Sequence, residues 1–124
     1  MIQTKNFSPE TDPKLLCTCQ NILCDKRSVN QETLNRIQLV RNDINQPLPV
    51  NSGGRCQYHP DEKHRATPAD HQLCQGVDVG VRGGIMRGEI VRLGLKHGFN
   101  AIGVAKNFVH LAYRKDCRLV MWVY

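Results

Sequence analysis

Residues 101–124 read AIGVAKNFVHLAYRKDCRLVMWVY, and the reading of this stretch decides the fold. Three runs, 101–105, 108–114 and 118–124, are rich in β-branched and aromatic residues, and only short polar breaks separate them. Such runs predict strands. The break Lys115-Asp116-Cys117 is short enough to make the last two runs a hairpin.

Upstream, Gly76-Val77-Asp78-Val79-Gly80-Val81 alternates valine with smaller or polar residues and predicts another short strand. Leu48 to Arg55 alternates weakly and predicts a strand leading into a turn at Gly53-Gly54, while the polar, proline-punctuated residues 56–70 read as loop. Two segments carry helical spacing. Ser28 and Gln31 form a capping-box pattern ahead of Leu34, Ile37, Val40 or Arg41, and Ile44, which predicts a helix over 29–45 ended by Gln46-Pro47 and Pro49. A second helix over 85–97 follows the break at Gly83-Gly84, carries Ile85, Ile90, Leu93 and Leu95, and ends at Gly98 as a left-handed cap. The sum is an α+β fold with helices packed on a small, mostly antiparallel sheet. Residues 1–27, with Pro9, Pro13 and three cysteines, read as an irregular lead-in wrapping over a single domain at 28–124.

With 124 residues, 40% hydrophobic and 23% charged, the chain matches an ordinary globular composition and not a disordered one. Its formal charge of +6 would concentrate an anionic partner, nucleic acid or an anionic cell wall, but by default reads as a contribution to solubility. The positive residues are scattered and aromatics make up only 6%, so no nucleic-acid partner is expected. No segment approaches the roughly 18 apolar residues of a membrane span. The opening MIQTKNFSPETDPK is polar, which predicts synthesis in a cytoplasm without a secretory signal. That context favours reduced, partly buried thiols for Cys17, Cys19, Cys24, Cys56, Cys74 and Cys117. Cys17-x-Cys19-x4-Cys24 has the ligand type for a structural metal but no matching pair downstream.

Three segments carry the candidate chemistry. They are Asn51-Ser52-Gly53-Gly54-Arg55-Cys56, the span from His71 to Asp78, and Phe108-Val109-His110-Leu111-Ala112-Tyr113-Arg114. Asp78 lies between two valines in its strand, so with those valines in the core it faces the opposite side. His110 between Val109 and Leu111 repeats the arrangement. Two imidazoles and one carboxylate suit a zinc ion and leave its fourth position open. Spacing alone favours a surface loop histidine at 71 and a hydrogen-bonded sheet histidine at 110 over a metal site.

Together and in this order, the segments resemble the D-alanyl-D-alanine carboxypeptidase-type (LAS-type) zinc peptidases that cut bacterial murein peptides, especially small forms often carried by phages. Asn6-Phe7-Ser8-Pro9-Glu10 and the cysteines after it resemble the lead-in of those proteins. Leu48 to Cys56 resembles their "PLxVxSGYRC" strand, and His71 with Asp78 matches their "HxxGxAxD" ligands. Gly98 to Val104 followed by Phe108-Val109-His110 resembles their "GFxGIGxY…FVHxDxR" ending, so the likeness spans about residues 5–123.

The resemblance implies zinc ligation by His71, Asp78 and His110, with Arg55 holding a substrate carboxylate or carbonyl. It implies hydrolysis of peptidoglycan stem-peptide bonds at a cell wall, by a phage-encoded or virion-associated protein. The chain departs from the pattern at Gly54 for tyrosine, Ala69 for serine and Cys74 for glycine. The gravest departure is Ala112 in place of the acid two residues after the third ligand. Asn107 stands where some relatives carry an acid instead. A zinc-bound water needs a proton acceptor, and Glu89, Asp70, Asp61 and Asp116 are the substitutes available. The alternative expectation is a catalytically impaired relative that keeps the metal to bind cell-wall peptide or to stabilise its fold.

Overall fold

A computed structural model describes residues 1–124. Helix α1 spans Gln31–Ile44, and α2 spans Gly84–Lys96. The strands are β1 (Val50–Ser52), β2 (Gly76–Gly80), β3 (Ala101–Val104), β4 (Phe108–Ala112) and β5 (Val120–Val123). They form one sheet in the order β1-β2-β4-β3-β5, antiparallel except where β5 runs parallel to β3. The α+β expectation, with helices on a small and mostly antiparallel sheet, is met.

Helix α1 starts two residues later than the capping-box pattern implies, because Asn30, not Ser28, accepts the backbone N–H of Thr33. Leu34, Ile37 and Val40 line its buried side, and Asn45 ends it in the left-handed conformation. On α2 only Ile90 and Leu93 of the four expected apolar residues are buried, whereas Ile85 and Leu95 face solvent. Both lie five residues from Ile90, which turns them about 140° round the helix. Gly98, just beyond that helix, has φ +90° as its role as a cap requires.

The expected hairpin between the last two strands does not form. β2 and β3 already occupy both edges of β4 in full register, so no edge is left there for β5. The chain crosses under the end of β3 instead and adds β5 to its free edge. Asn100 organises the crossing: its side chain accepts the N–H of Arg114 and donates to the carbonyls of Arg114 and Cys117.

Pleating gives the sheet two distinct faces. Val77, Val79, Val109, Leu111 and Ile102 join the α1 and α2 side chains in the core. The lead-in belongs to the same core, for Phe7 and Leu15 are buried in it and Thr4 and Asn6 hydrogen-bond to Gln38 on α1. No helix is long and apolar enough to cross a membrane.

Candidate metal centre

Register places the candidate residues in one row on the non-core face. Ser52 pairs with Asp78, Asp78 with His110, His110 with Gly103, and Gly103 with Trp122. Residues opposite one another in a sheet share a face, so β1, β2, β4 and β5 all present side chains to the same strip. Gly103 leaves room in the row. A Cβ there would come within 2.5 Å of the Trp122 indole nitrogen, so the ring folds over the strand and stands 5.4 Å from the His110 ring. His71 reaches the strip from the turn before β2.

The structure therefore brings together all three expected ligands, each at least 93% buried. His71 Nε2 and His110 Nδ1 approach the same atom, Asp78 Oδ1, at 3.1 and 2.9 Å. The remaining ring nitrogens are each engaged elsewhere. His71 Nδ1 lies 2.7 Å from the Gly53 carbonyl, and His110 Nε2 lies 2.9 Å from Asp70 Oδ2. A carbonyl or carboxylate can only accept, so the outward nitrogens carry the protons. The inward nitrogens of neutral rings then present lone pairs to an acceptor oxygen. A metal ion between them would satisfy all three, as would a second ring proton donated to Asp78. The donor set fits a metal ion, and tetrahedral ligation at roughly 2.0–2.1 Å spaces ligands about 3.3 Å apart, close to these separations.

Asp70 is the orienting group behind the centre. Besides His110 it accepts two hydrogen bonds from Arg114, at 2.8 and 2.9 Å, and one from Gln75 at 3.0 Å. Burial alone would raise the Asp70 carboxyl, but donation by His110, Arg114 and Gln75 holds it well below the usual range. Asp78 shows the same balance, with burial outweighed by His110 and His71. Burial opposes charge on His110, yet its bonds to Asp70 and Asp78 raise its pKa. Gly76 makes this approach possible, since a Cβ there would lie 2.9 Å from both Asp70 Cβ and His110 Cε1. Gly76 pairs with Ala112, so Ala112 shares the face on which Asp70 sits. A carboxylate does stand on this face beside Ala112, but it comes from Asp70, the residue before His71, and its oxygens are occupied by His110, Arg114 and Gln75.

Arg55 lines the same open cleft of about 540 Å³, together with His71, Asp78, His110, Trp122 and Tyr124. It is also an internal ion-pair partner. Its guanidinium contacts Glu62 Oε2 at 3.3 Å and Asp78 Oδ2 at 3.5 Å, while Nε donates to Ser52. Glu62 is almost fully buried, and its second oxygen has no hydrogen-bond partner. Asp61 also lines the cleft but is exposed, 3.8 Å from Arg55. Glu89 is far from this role, lying exposed on α2 and paired with Arg92. Asp116 sits in the crossing turn, outside the cleft.

Two positions at which the chain departs from the pattern it resembles can be placed in the structure. Cys74, where the pattern has glycine, adopts φ +63°, a conformation glycine takes without strain. Gly54, where the pattern has tyrosine, has the Arg27 carbonyl in the space a side chain would need. Sequence reasoning missed Glu62, an isolated acid in a polar loop with no pattern around it. It missed Trp122 and Tyr124 because it placed β5 beside the wrong strand. No protein-family model matches this chain, and no curated protein matches it.

Proposed function

We propose that this chain is a zinc-dependent peptidase that hydrolyses bacterial peptidoglycan stem-peptide bonds, of the D-Ala-D-Ala carboxypeptidase or murein endopeptidase type. The observation that carries the reading is the convergence of His71 Nε2, His110 Nδ1 and an Asp78 oxygen on the floor of an open cleft, with both outward ring nitrogens already engaged. Two imidazoles and a carboxylate are a zinc donor set with room for a fourth ligand. Zinc held there would supply Lewis acidity and a water of lowered pKa.

The chain's own groups divide the remaining work. Asp70 fixes the His110 ring, and the Gly53 carbonyl fixes that of His71, so the ligands are aimed before any ion arrives. Arg55 offers a planar, permanently charged fork to a substrate carboxylate. Trp122 and Tyr124 wall the cleft and suit the apolar parts of a D-alanyl peptide. Asp70 is a poor proton acceptor because four hydrogen bonds from three residues occupy its oxygens. The accepting role falls to Glu62, through the oxygen that accepts no hydrogen bond and that Arg65 approaches at 3.5 Å, or to solvent-exposed Asp61.

A second reading has its own support. Neither Asn107 nor Ala112 carries an acid, and Glu62 is already tied to Arg55. Such a centre would grip wall peptide or stabilise the fold without cutting. Zinc-loaded protein incubated with muropeptides, and mass analysis of the products, separates the two. Released D-alanine or cleaved cross-links, lost on Asp78→Asn and reduced 10²- to 10⁴-fold by Glu62→Gln or Asp61→Asn, support the peptidase. Retention of muropeptide without products would support the binder. The proposed setting is a bacterial cell wall, reached by a phage-encoded or virion-associated protein.

A further inference from the structure

We propose that Cys17, Cys19, Cys24 and Cys56 form a second metal site, a closed tetrathiolate that holds a structural zinc and clamps the lead-in to the segment after β1 that carries Arg55. Three of these cysteines come from the lead-in, and the fourth immediately follows Arg55. No downstream Cys-x-x-Cys pair is needed, because the fold delivers a single thiol to complete the set.

The geometry is that of a ligand cage. The four sulfurs all lie within 4.8 Å of one another, and Cys19 and Cys56 approach to 3.4 Å. Tetrahedral coordination with metal–sulfur bonds of about 2.3 Å sets sulfur–sulfur edges near 3.8 Å, in the middle of that span. Backbone N–H groups already point at two of the sulfurs: Cys56 donates to Cys17 Sγ at 3.2 Å, and Lys26 to Cys24 Sγ at 3.3 Å. Such donors stabilise thiolate charge, as outer partners of metal-bound cysteine do. Cys74 and Cys117 take no part in the group.

The surrounding loop has little else to hold it. Cys17 N–H to the Arg27 carbonyl and the Leu16–Ser28 bridge close its neck. Beyond the neck, Ile22 and Leu23 are exposed instead of packing into a core. Gln20 and Lys26 both adopt left-handed backbone conformations, at φ 61° and 52°. Strained residues persist where their surroundings determine them, and here the four sulfurs are the shared centre. All-sulfur donors with no open position suit a structural zinc and not a catalytic one. The proposal is independent of the reading of the His71–Asp78–His110 centre.

The test uses the full chain purified under reductant, with zinc and cobalt(II) as probes. The native chain is expected to bind two equivalents of zinc. His110→Ala should retain one, and that variant loaded with cobalt should show the intense near-ultraviolet thiolate-to-cobalt absorption. The paired variant Cys19→Ser/Cys24→Ser should lose one equivalent and that absorption together. Because the His110→Ala arm leaves every cysteine intact, it remains decisive if the cysteine variant fails to fold. A folded His110→Ala chain without metal, or cobalt binding without the thiolate band, would overturn the proposal. So would a reductant-purified chain whose mass shows the cysteines joined as disulfides.

Discussion

The His–Asp–His centre and the four-cysteine cluster both gather ligands from distant parts of the chain, but they are built by opposite means. Asp78 and His110 are neighbours in a ladder, so strand register alone sets their spacing, and His71 is pinned by the Gly53 carbonyl. The cysteines sit on irregular backbone with two left-handed residues among them. The first centre is organised by hydrogen bonds before an ion enters. The second depends on whatever joins its sulfurs. The lesson is that ligand spacing along the chain matters less than what fixes each ligand.

That contrast can be broken in order of size. Removing a ligand is the largest change: Asp78→Asn or His110→Ala should abolish metal binding at the sheet centre, read as the loss of one equivalent by elemental analysis, with the fold retained by circular dichroism. Stripping all metal should loosen the lead-in far more than the sheet. Hydrogen exchange should rise across residues 16–28 and stay slow in β2 and β4. Zinc at about a thousandfold over its dissociation constant should then restore roughly 4 kcal/mol of stability to whatever unit it holds together.

Next in size is the orienting carboxylate. Asp70→Asn leaves the ligands in place but removes the acceptor that fixes the His110 tautomer, and should weaken zinc binding at the sheet centre about 10- to 100-fold by titration. An unchanged affinity would mean that the ladder alone positions His110. Arg55 joins the two regions. Arg55→Ala should destabilise the fold by about 2–3 kcal/mol in urea unfolding, because nearly buried Glu62 keeps only the half-exposed Arg65 as a cationic partner. The double variant with Glu62→Gln should recover most of that loss. Smallest is Cys74→Gly, which relieves a left-handed residue and should stabilise the protein by about 0.5–1 kcal/mol, less than the full strain because glycine also loosens the unfolded chain.

Much of this architecture was legible in the sequence. Valines alternating around Asp78, and Val109 and Leu111 flanking His110, placed both polar residues on the non-core face, and the ladder then made them direct partners. The parallel placement of β5 was not legible, because the length of residues 115–117 permits a hairpin and nothing local reveals that β4 has no free edge. Asp70 was visible only as a spare acid. Its role depends on Gly76 leaving space above the ladder, a long-range fact without a local signature. The fourth thiol of the cysteine cluster was hidden for the same reason. Cys56 follows a different strand, and only the packing of Gly53 and Gly54 against the lead-in brings it to the other three.

The most direct test of the sheet centre is a zinc K-edge absorption spectrum of the native, zinc-saturated protein. Two shells are expected, nitrogen or oxygen at about 2.0 Å with imidazole scattering and sulfur at about 2.3 Å. A shell of sulfur alone would contradict the central claim, leaving His71, Asp78 and His110 as a hydrogen-bonded cluster with no ion of their own.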